Sequence, residues 1–386
     1  MPAGGAPLAL YVHVPWCRHV CPYCDFNVYA AAEPPEAAYV DALATELAAW
    51  GARAPWQGRA LRSVYLGGGT PSLLSPEAVA RVLAAAGRVF GLVPGAEVTI
   101  EANPGGLTAT RLGGYRAAGV TRLSLGAQSF TPAHLRTLGR DHTVEDIGAA
   151  VLAAREAGFD NVSLDLIYGV PGASLAEWRN DLAAALALAP AHVSAYSLTY
   201  EESTPFFAWR AKGRLAPVSE DDEAAMAETA VDMLEAAGLA RYEISSFARP
   251  GYESRHNLAY WDGSDYLGIG AGAHSFAAAP PPGQRFANER LPARYQAAVS
   301  ATGTAVASEE RLSEAQARAE FCFTGLRQVA GVDMAAFARR FGCELEAAFP
   351  FVARLVADDL VRRAGGRLRL TARGLRFADD VAARFL

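Results

Sequence analysis

The chain has no run of about 18 apolar residues of the kind a membrane-spanning helix needs, although 51% of its 386 residues are hydrophobic. It also lacks a basic surplus: 35 Lys and Arg stand against 41 Asp and Glu, for a formal net charge of −6. A general nucleic-acid binder needs a basic face, so nucleic acid is not expected as a partner. Cysteine is scarce, five in all, and does not form the disulfide framework of a secreted protein. The first residues, Met1 to Leu10, carry neither the basic start nor the long apolar stretch of a secretory signal. A cytoplasmic location is therefore expected. Three of the five cysteines lie between positions 17 and 24, which points to a metal centre in a reducing compartment.

Short apolar segments alternate with Ala/Leu/Glu/Arg stretches up to about residue 240. Strands are expected at Leu8–Val14, Ser63–Leu66, Glu97–Glu101, Arg122–Leu125, Asn161–Ile167 and His192–Ser197. Helices are expected between them at Glu36–Trp50, Pro76–Phe90, Thr108–Ala118, Val144–Ala157, Leu175–Leu188 and Glu220–Ala237. Such alternation implies crossovers and a parallel sheet. Periodicity leaves open whether that sheet is doubly wound or a barrel, but the motifs follow strands, where parallel α/β folds bind ligands.

After Gly238 the pattern changes. Arg241–Phe247 reads as a further strand, followed by a loop-rich stretch holding His256-Asn257-Leu258-Ala259-Tyr260-Trp261. Ala277–Gly283 reads as an Ala/Pro-rich loop, and the chain from about Ser308 as helical, with a short strand at Arg367–Leu370. The expected division is a core at 1–240, an extension at 241–300 and a mainly helical, winged-helix-like module at 301–386.

Cys17, Cys21 and Cys24 are separated by three and two residues on one loop after the first strand. Thiolates so spaced can wrap one face of a cubane iron–sulfur cluster, leaving one iron open to a small molecule. A structural zinc site remains the alternative: it would need a fourth ligand, which His13 or His19 could supply, since Cys322 and Cys343 are far along the chain. Gly67-Gly68-Gly69-Thr70 follows the second strand and lets backbone groups approach a ligand closely, although a tight turn before a helix would read the same way. Glu101 ends the third strand, where a carboxylate is costly to bury without a partner. Gln128, Arg140 and Asp165 sit at or near later strand ends.

The cysteine loop resembles the CxxxCxxC signature of the radical S-adenosylmethionine (SAM) superfamily, including an aromatic residue, Tyr23, just before the third cysteine. The series Tyr11, Cys17, Cys21, Cys24, Gly68, Gly69, Thr70, Glu101, Gln128, Arg140 and Asp165 is similar to the coproporphyrinogen III oxidase-like family within it. The resemblance implies a partial (β/α)6 barrel of TIM type with a [4Fe–4S] cluster on the three cysteines. It also implies that SAM binds the open iron, contacted by the other residues of the series. An electron from the reduced cluster, supplied by a donor such as a flavodoxin or ferredoxin, would cleave the sulfonium to a 5′-deoxyadenosyl radical.

Two branches of that family differ. The oxidase branch carries a long N-terminal extension and a fourth cysteine two positions after the third; here the loop begins at residue 17 and that position is Phe26. His256 to Trp261 matches the HNxxYW pattern of the haem-chaperone branch, in which the histidine is implicated in haem binding. The resemblance thus implies haem as cargo, His256 as its ligand with His274 a second candidate, and Tyr260 and Trp261 packing on the porphyrin. Haem-accepting proteins, among them membrane-bound respiratory subunits met peripherally, are the expected partners. The rival reading is an oxygen-independent coproporphyrinogen III dehydrogenase.

Overall fold

The computed structural model describes residues 5–386. Six parallel strands form the centre of a twelve-stranded sheet: β1 (Leu8–Val14), β2 (Leu61–Gly68), β3 (Leu92–Ala102), β4 (Arg122–Gln128), β5 (Asn161–Tyr168) and β6 (His192–Ser197). They lie side by side in chain order. A doubly wound sheet reverses its order at a switch point; the absence of a reversal makes this a partial (β/α)6 barrel. On the far side of β6 stand β7 (Ala240–Arg241) and β8 (Ser246–Ala248), and on the far side of β1 stand β9 (Tyr266–Ile269), β10 (His274–Ala277), β11 (Gln284–Asn288) and β12 (Val306–Arg311). β9 pairs with β1 in parallel and the others continue antiparallel, so the barrel stays open.

The strands form because their residues can be covered on both faces. In β1 every residue but Tyr11 is buried, and Leu10, Val12, Val64, Leu66, Ile100, Leu123, Leu125, Leu164 and Leu166 are wholly enclosed. Each such aliphatic side chain contributes about 1.5–3 kcal/mol relative to exposure. The intervening helices start on side-chain caps. Ser75 Oγ accepts from Ala78 N ahead of Pro76, and Thr143 and Ser174 complete capping boxes with Asp146 and Glu177.

Three expectations change. The strand expected at Arg241–Phe247 is split into β7 and β8, because Arg241 turns back on its own chain to donate to Glu243 O and Ile244 O. The HNLAYW segment is a helix, Arg255–Trp261, rather than a loop: Ser254 Oγ caps Asn257 N, and Glu97 accepts from the free Arg255 and His256 amides. Residues 306–311 form the edge strand β12, not the start of a helix; the next helix begins at Glu314.

From Phe321 onward a separate core gathers Leu326, Phe337, Leu355, Leu368 and Phe385. Helices here pack beside a three-stranded sheet, Val332–Asp333, Arg367–Leu370 and Val361–Ala364, which is the winged-helix-like arrangement.

Candidate functional site

The thiol loop is pinned at both ends. Trp16–Cys17 pairs with Tyr29–Ala30 as a small parallel ladder, closed by Tyr29 N on Pro15 O and Ala31 N on Cys17 O. Within it a turn from Cys24 N to Cys21 O brings the second and third cysteines round. The glycine loop clasps its start: Gly69 N donates to Val14 O at 2.8 Å and Thr70 N to Trp16 O at 2.7 Å. A Cβ on Gly69 would meet Trp16 O at 2.5 Å, and one on Gly68 (φ +108°) would meet His13 Cε1 at 2.4 Å. The close approach that these glycines permit is therefore between two protein segments.

One cavity of about 1540 Å³ opens at the C-terminal ends of the strands. Cys17, Cys21, Cys24, Tyr23, Phe26, Gly68, Gly69, Thr70, Glu101, Gln128, Arg140 and Asp165 all line it, as the sequence pattern anticipates for one site. Tyr11 and His256 do not. Tyr11 faces a second cavity, with its hydroxyl 3.0 Å from His13 Nδ1. His256 lines neither cavity: its ring is wholly buried, with Nδ1 3.0 Å from Ser63 Oγ and Nε2 2.8 Å from Tyr260 OH.

The electrostatics suit an anionic group among the thiols. Arg140 Nη1 lies 3.6 Å from Cys21 Sγ, Nη2 donates to Gly126 O, and its buried Nε has no partner. Thr70 Oγ1 donates to Cys17 Sγ at 3.4 Å. Burial pushes the Cys24 thiol up to about 11 and raises Cys17 as well, so metal binding here displaces protons. Three cysteine thiols flanked by donors and an under-used guanidinium fit an iron–sulfur cluster with a bound anion.

Glu101 accepts from Tyr65 OH at 2.7 Å and Gly68 N at 3.1 Å, and burial lifts its carboxyl to about 7. Asp165 accepts from Ser124 Oγ at 3.1 Å, and burial raises it also. Gln128 sits in the left-handed region at φ 65° where the β4–β5 register slips, a turn that carries its amide beside Arg140. A Cβ on Gly126 would meet both side chains, at 2.9 and 3.2 Å.

Two residues of this region escape a motif reading. Arg122 lines the cavity yet is only 2% exposed, its Nε without a partner; as the first residue of a strand it shows no sequence signal. His142 bridges Asn103 Oδ1 (2.9 Å) and Ala127 O (3.1 Å), tying the Arg140 loop to the loop after β3. Its spacing from Arg140 could have suggested that role.

The second cavity, about 870 Å³, lies between β9–β11, the Arg255–Trp261 helix and the C-terminal module. Asp25, Phe26, Gly68 and Glu101 line both cavities. Tyr260 and Trp261, expected beside a porphyrin, face this one, together with His274.

Residues 11–185 match the radical SAM superfamily model, and residues 312–377 match the HemN C-terminal domain. The chain is 36% identical to heme chaperone HemW of Bacillus subtilis over 97% of its own length and 98% of that protein. It is 38% identical to heme chaperone HemW of Mycobacterium tuberculosis, covering 100% of this chain and 96% of that protein. Among solved structures it is similar to the coproporphyrinogen III oxidase HemN of Escherichia coli, described as a radical SAM enzyme. That likeness has a TM-score of 0.83 at 25% identity, over 98% of this chain and 90% of that one.

Proposed function

This chain belongs to the HemW family of the radical SAM superfamily, and from that premise we propose that it binds haem and hands it to haem proteins. The observation that carries the reading is the near end-to-end likeness to curated heme chaperones, joined to an aromatic cavity beside the thiol loop. Cys17, Cys21 and Cys24 would hold a [4Fe–4S] cluster, which when loaded would supply an electron to bound SAM. Glu101, between Tyr65 and Gly68, receives the ligand's ammonium group; that cation favours the carboxylate form that burial alone opposes. Arg140 balances the negative charge of the thiolates and of the SAM carboxylate. Gln128 and Asp165 add polar contacts to SAM in the same cavity, and Tyr23, Phe26, Gly68, Gly69 and Thr70 shape its rim.

Acceptors are haem proteins, and the reductant is a small electron carrier. Among the described residues no helix is long and apolar enough to cross a membrane, so a membrane-bound acceptor would be met from outside the bilayer. Anaerobic titration of the cluster-loaded protein with haem tests the reading: one saturable Soret change per chain is expected, and its absence refutes it.

The full-length likeness to HemN favours a second reading, oxidative decarboxylation of coproporphyrinogen III. Phe26 in place of the fourth cysteine weighs against it. Consumption of SAM with formation of protoporphyrinogen would establish that activity and displace the first reading.

A further inference from the structure

The haem reading leaves the iron ligand to be found, and the hydrogen bonds of the seven histidines narrow the choice. His13, His134, His142, His192 and His256 each have ring nitrogens engaged by protein groups. Among the described residues only His19 and His274 make no such bond. His19 sits on the thiol loop and faces the first cavity. His274 opens β10, is exposed, and faces the second.

That second cavity has the other features of a tetrapyrrole site. Its volume, about 870 Å³, falls in the ordinary range for a ligand of this size. Tyr260, Trp261 and Phe276 offer flat aromatic walls. Three arginines reach it. Arg285 is paired with Glu320 at 2.5 Å, whereas Arg290 and Arg340 have no carboxylate within salt-bridge distance among the described residues. Of the acidic residues lining the cavity, Glu320 is held by Arg285, Glu101 takes two donors of its own, and Asp25 is exposed. Partial burial, then Arg290 and Arg285, hold His274 below the usual imidazole value.

We propose that haem, on the chaperone reading above, occupies this second cavity with His274 as the axial ligand of its iron and Arg290 and Arg340 receiving its propionates. His256 is then a positioning residue. Its Nε2 holds the Tyr260 hydroxyl one helical turn away, which sets the Tyr260 ring at the cavity wall. For His256 to reach iron it would have to surrender that bond and enter a cavity it does not line. The HNxxYW pattern thus serves haem through its tyrosine and tryptophan. Asp25, Phe26, Gly68 and Glu101, common to both cavities, place the cargo directly behind the thiol loop.

The test is anaerobic haem titration of cluster-loaded wild type, His274→Ala, His256→Gln and Arg290→Ala/Arg340→Ala proteins. Soret spectra and ferric electron paramagnetic resonance are recorded with and without added imidazole, and circular dichroism verifies each fold. His274→Ala should change the spin state and weaken binding about tenfold or more, with imidazole restoring the wild-type spectrum. His256→Gln should keep the wild-type ligand signature. The double arginine variant should bind about tenfold more weakly with an unaltered spectrum, since a charge-assisted hydrogen bond contributes about 1.5–3 kcal/mol. Wild-type spectrum and affinity in His274→Ala, or an imidazole-rescued change in His256→Gln, would overturn the assignment while leaving the chaperone reading in place. Wild-type protein without saturable binding would overturn both.

Discussion

Replacing His256 by alanine removes a wholly buried ring that joins Ser63 Oγ to Tyr260 OH. Ser63 is itself fully buried, so its hydroxyl loses a partner that water cannot replace; such a stranded group costs about 1–3 kcal/mol. Tyr260 is half-buried, and its hydroxyl loses toward the lower end of the same range. The void left by the imidazole adds a cavity term. The sum is about 3–5 kcal/mol, a large part of the roughly 5–15 kcal/mol that keeps a domain folded. Anaerobic urea unfolding of the cluster-loaded protein measures it, with Tyr260→Phe and the double variant closing a cycle. The His256–Tyr260 coupling should be about 1–2 kcal/mol. A His256→Ala cost below about 1 kcal/mol, or strict additivity with Tyr260→Phe, would refute the positioning role. Haem affinity should fall in this variant as well, because Tyr260 loosens, so loss of binding in it does not by itself identify the iron ligand.

Glu101 has a folded-state value of about 7 caused by burial, above the ordinary carboxyl value of about 4.3. The fold therefore binds its proton more tightly than the unfolded chain, and its contribution, present in full below about pH 4.3, is lost as pH rises through 7. Glu101→Gln should gain thermal stability over wild type as pH goes from 5 to 8 without SAM, and should lose SAM affinity; parallel melting profiles would contradict the assignment. Gly68→Ala puts a methyl 2.4 Å from the His13 ring at φ +108° and should cost about 2 kcal/mol or more, read as a lowered melting temperature. Arg140→Ala should still reconstitute its cluster, seen by absorbance, while binding SAM about tenfold more weakly, since a charged hydrogen bond contributes about 1.5–3 kcal/mol; unchanged calorimetric affinity would refute its role.

Much of the barrel was legible because burial writes directly into sequence. Strands covered on both faces are unbroken apolar runs, so β1 and β6 match their expected limits and β2 to β5 differ only at their ends. The helices expected from Pro76 and Leu175 begin where expected, capped by Ser75 and Ser174, because a cap is a local interaction that needs no tertiary context. β12 was illegible because all six residues of VASEER are exposed; an edge strand with no buried face has no alternation to read. The HNLAYW helix was missed although Ser254 caps it locally, because at seven residues it is too short to show a period, and Glu97, which holds its first amides, lies more than 150 residues away. The cysteines, the glycine loop, Glu101, Gln128, Arg140 and Asp165 line one cavity because they lie at or near the C-terminal ends of neighbouring strands. Tyr11 of the same motif series lines the second cavity and His256 lines neither, because spacing along a chain does not tell which side of a strand or helix faces which cavity. The second cavity was legible in part: Tyr260, Trp261 and His274 stand out in the sequence, whereas Arg290 and Arg340 come from separate elements and join them only in the fold.

The central claim, that this chain carries haem for others, is tested most directly by transfer. Haem-loaded, cluster-containing protein is mixed anaerobically with an apo-haem protein, and the acceptor's holo spectrum is followed after separation of the two. The account predicts that the acceptor gains haem as the donor loses it, at a rate above that of free haem at the same concentration. Haem that stays with the donor, or an acceptor that fills no faster than from free haem, would contradict it.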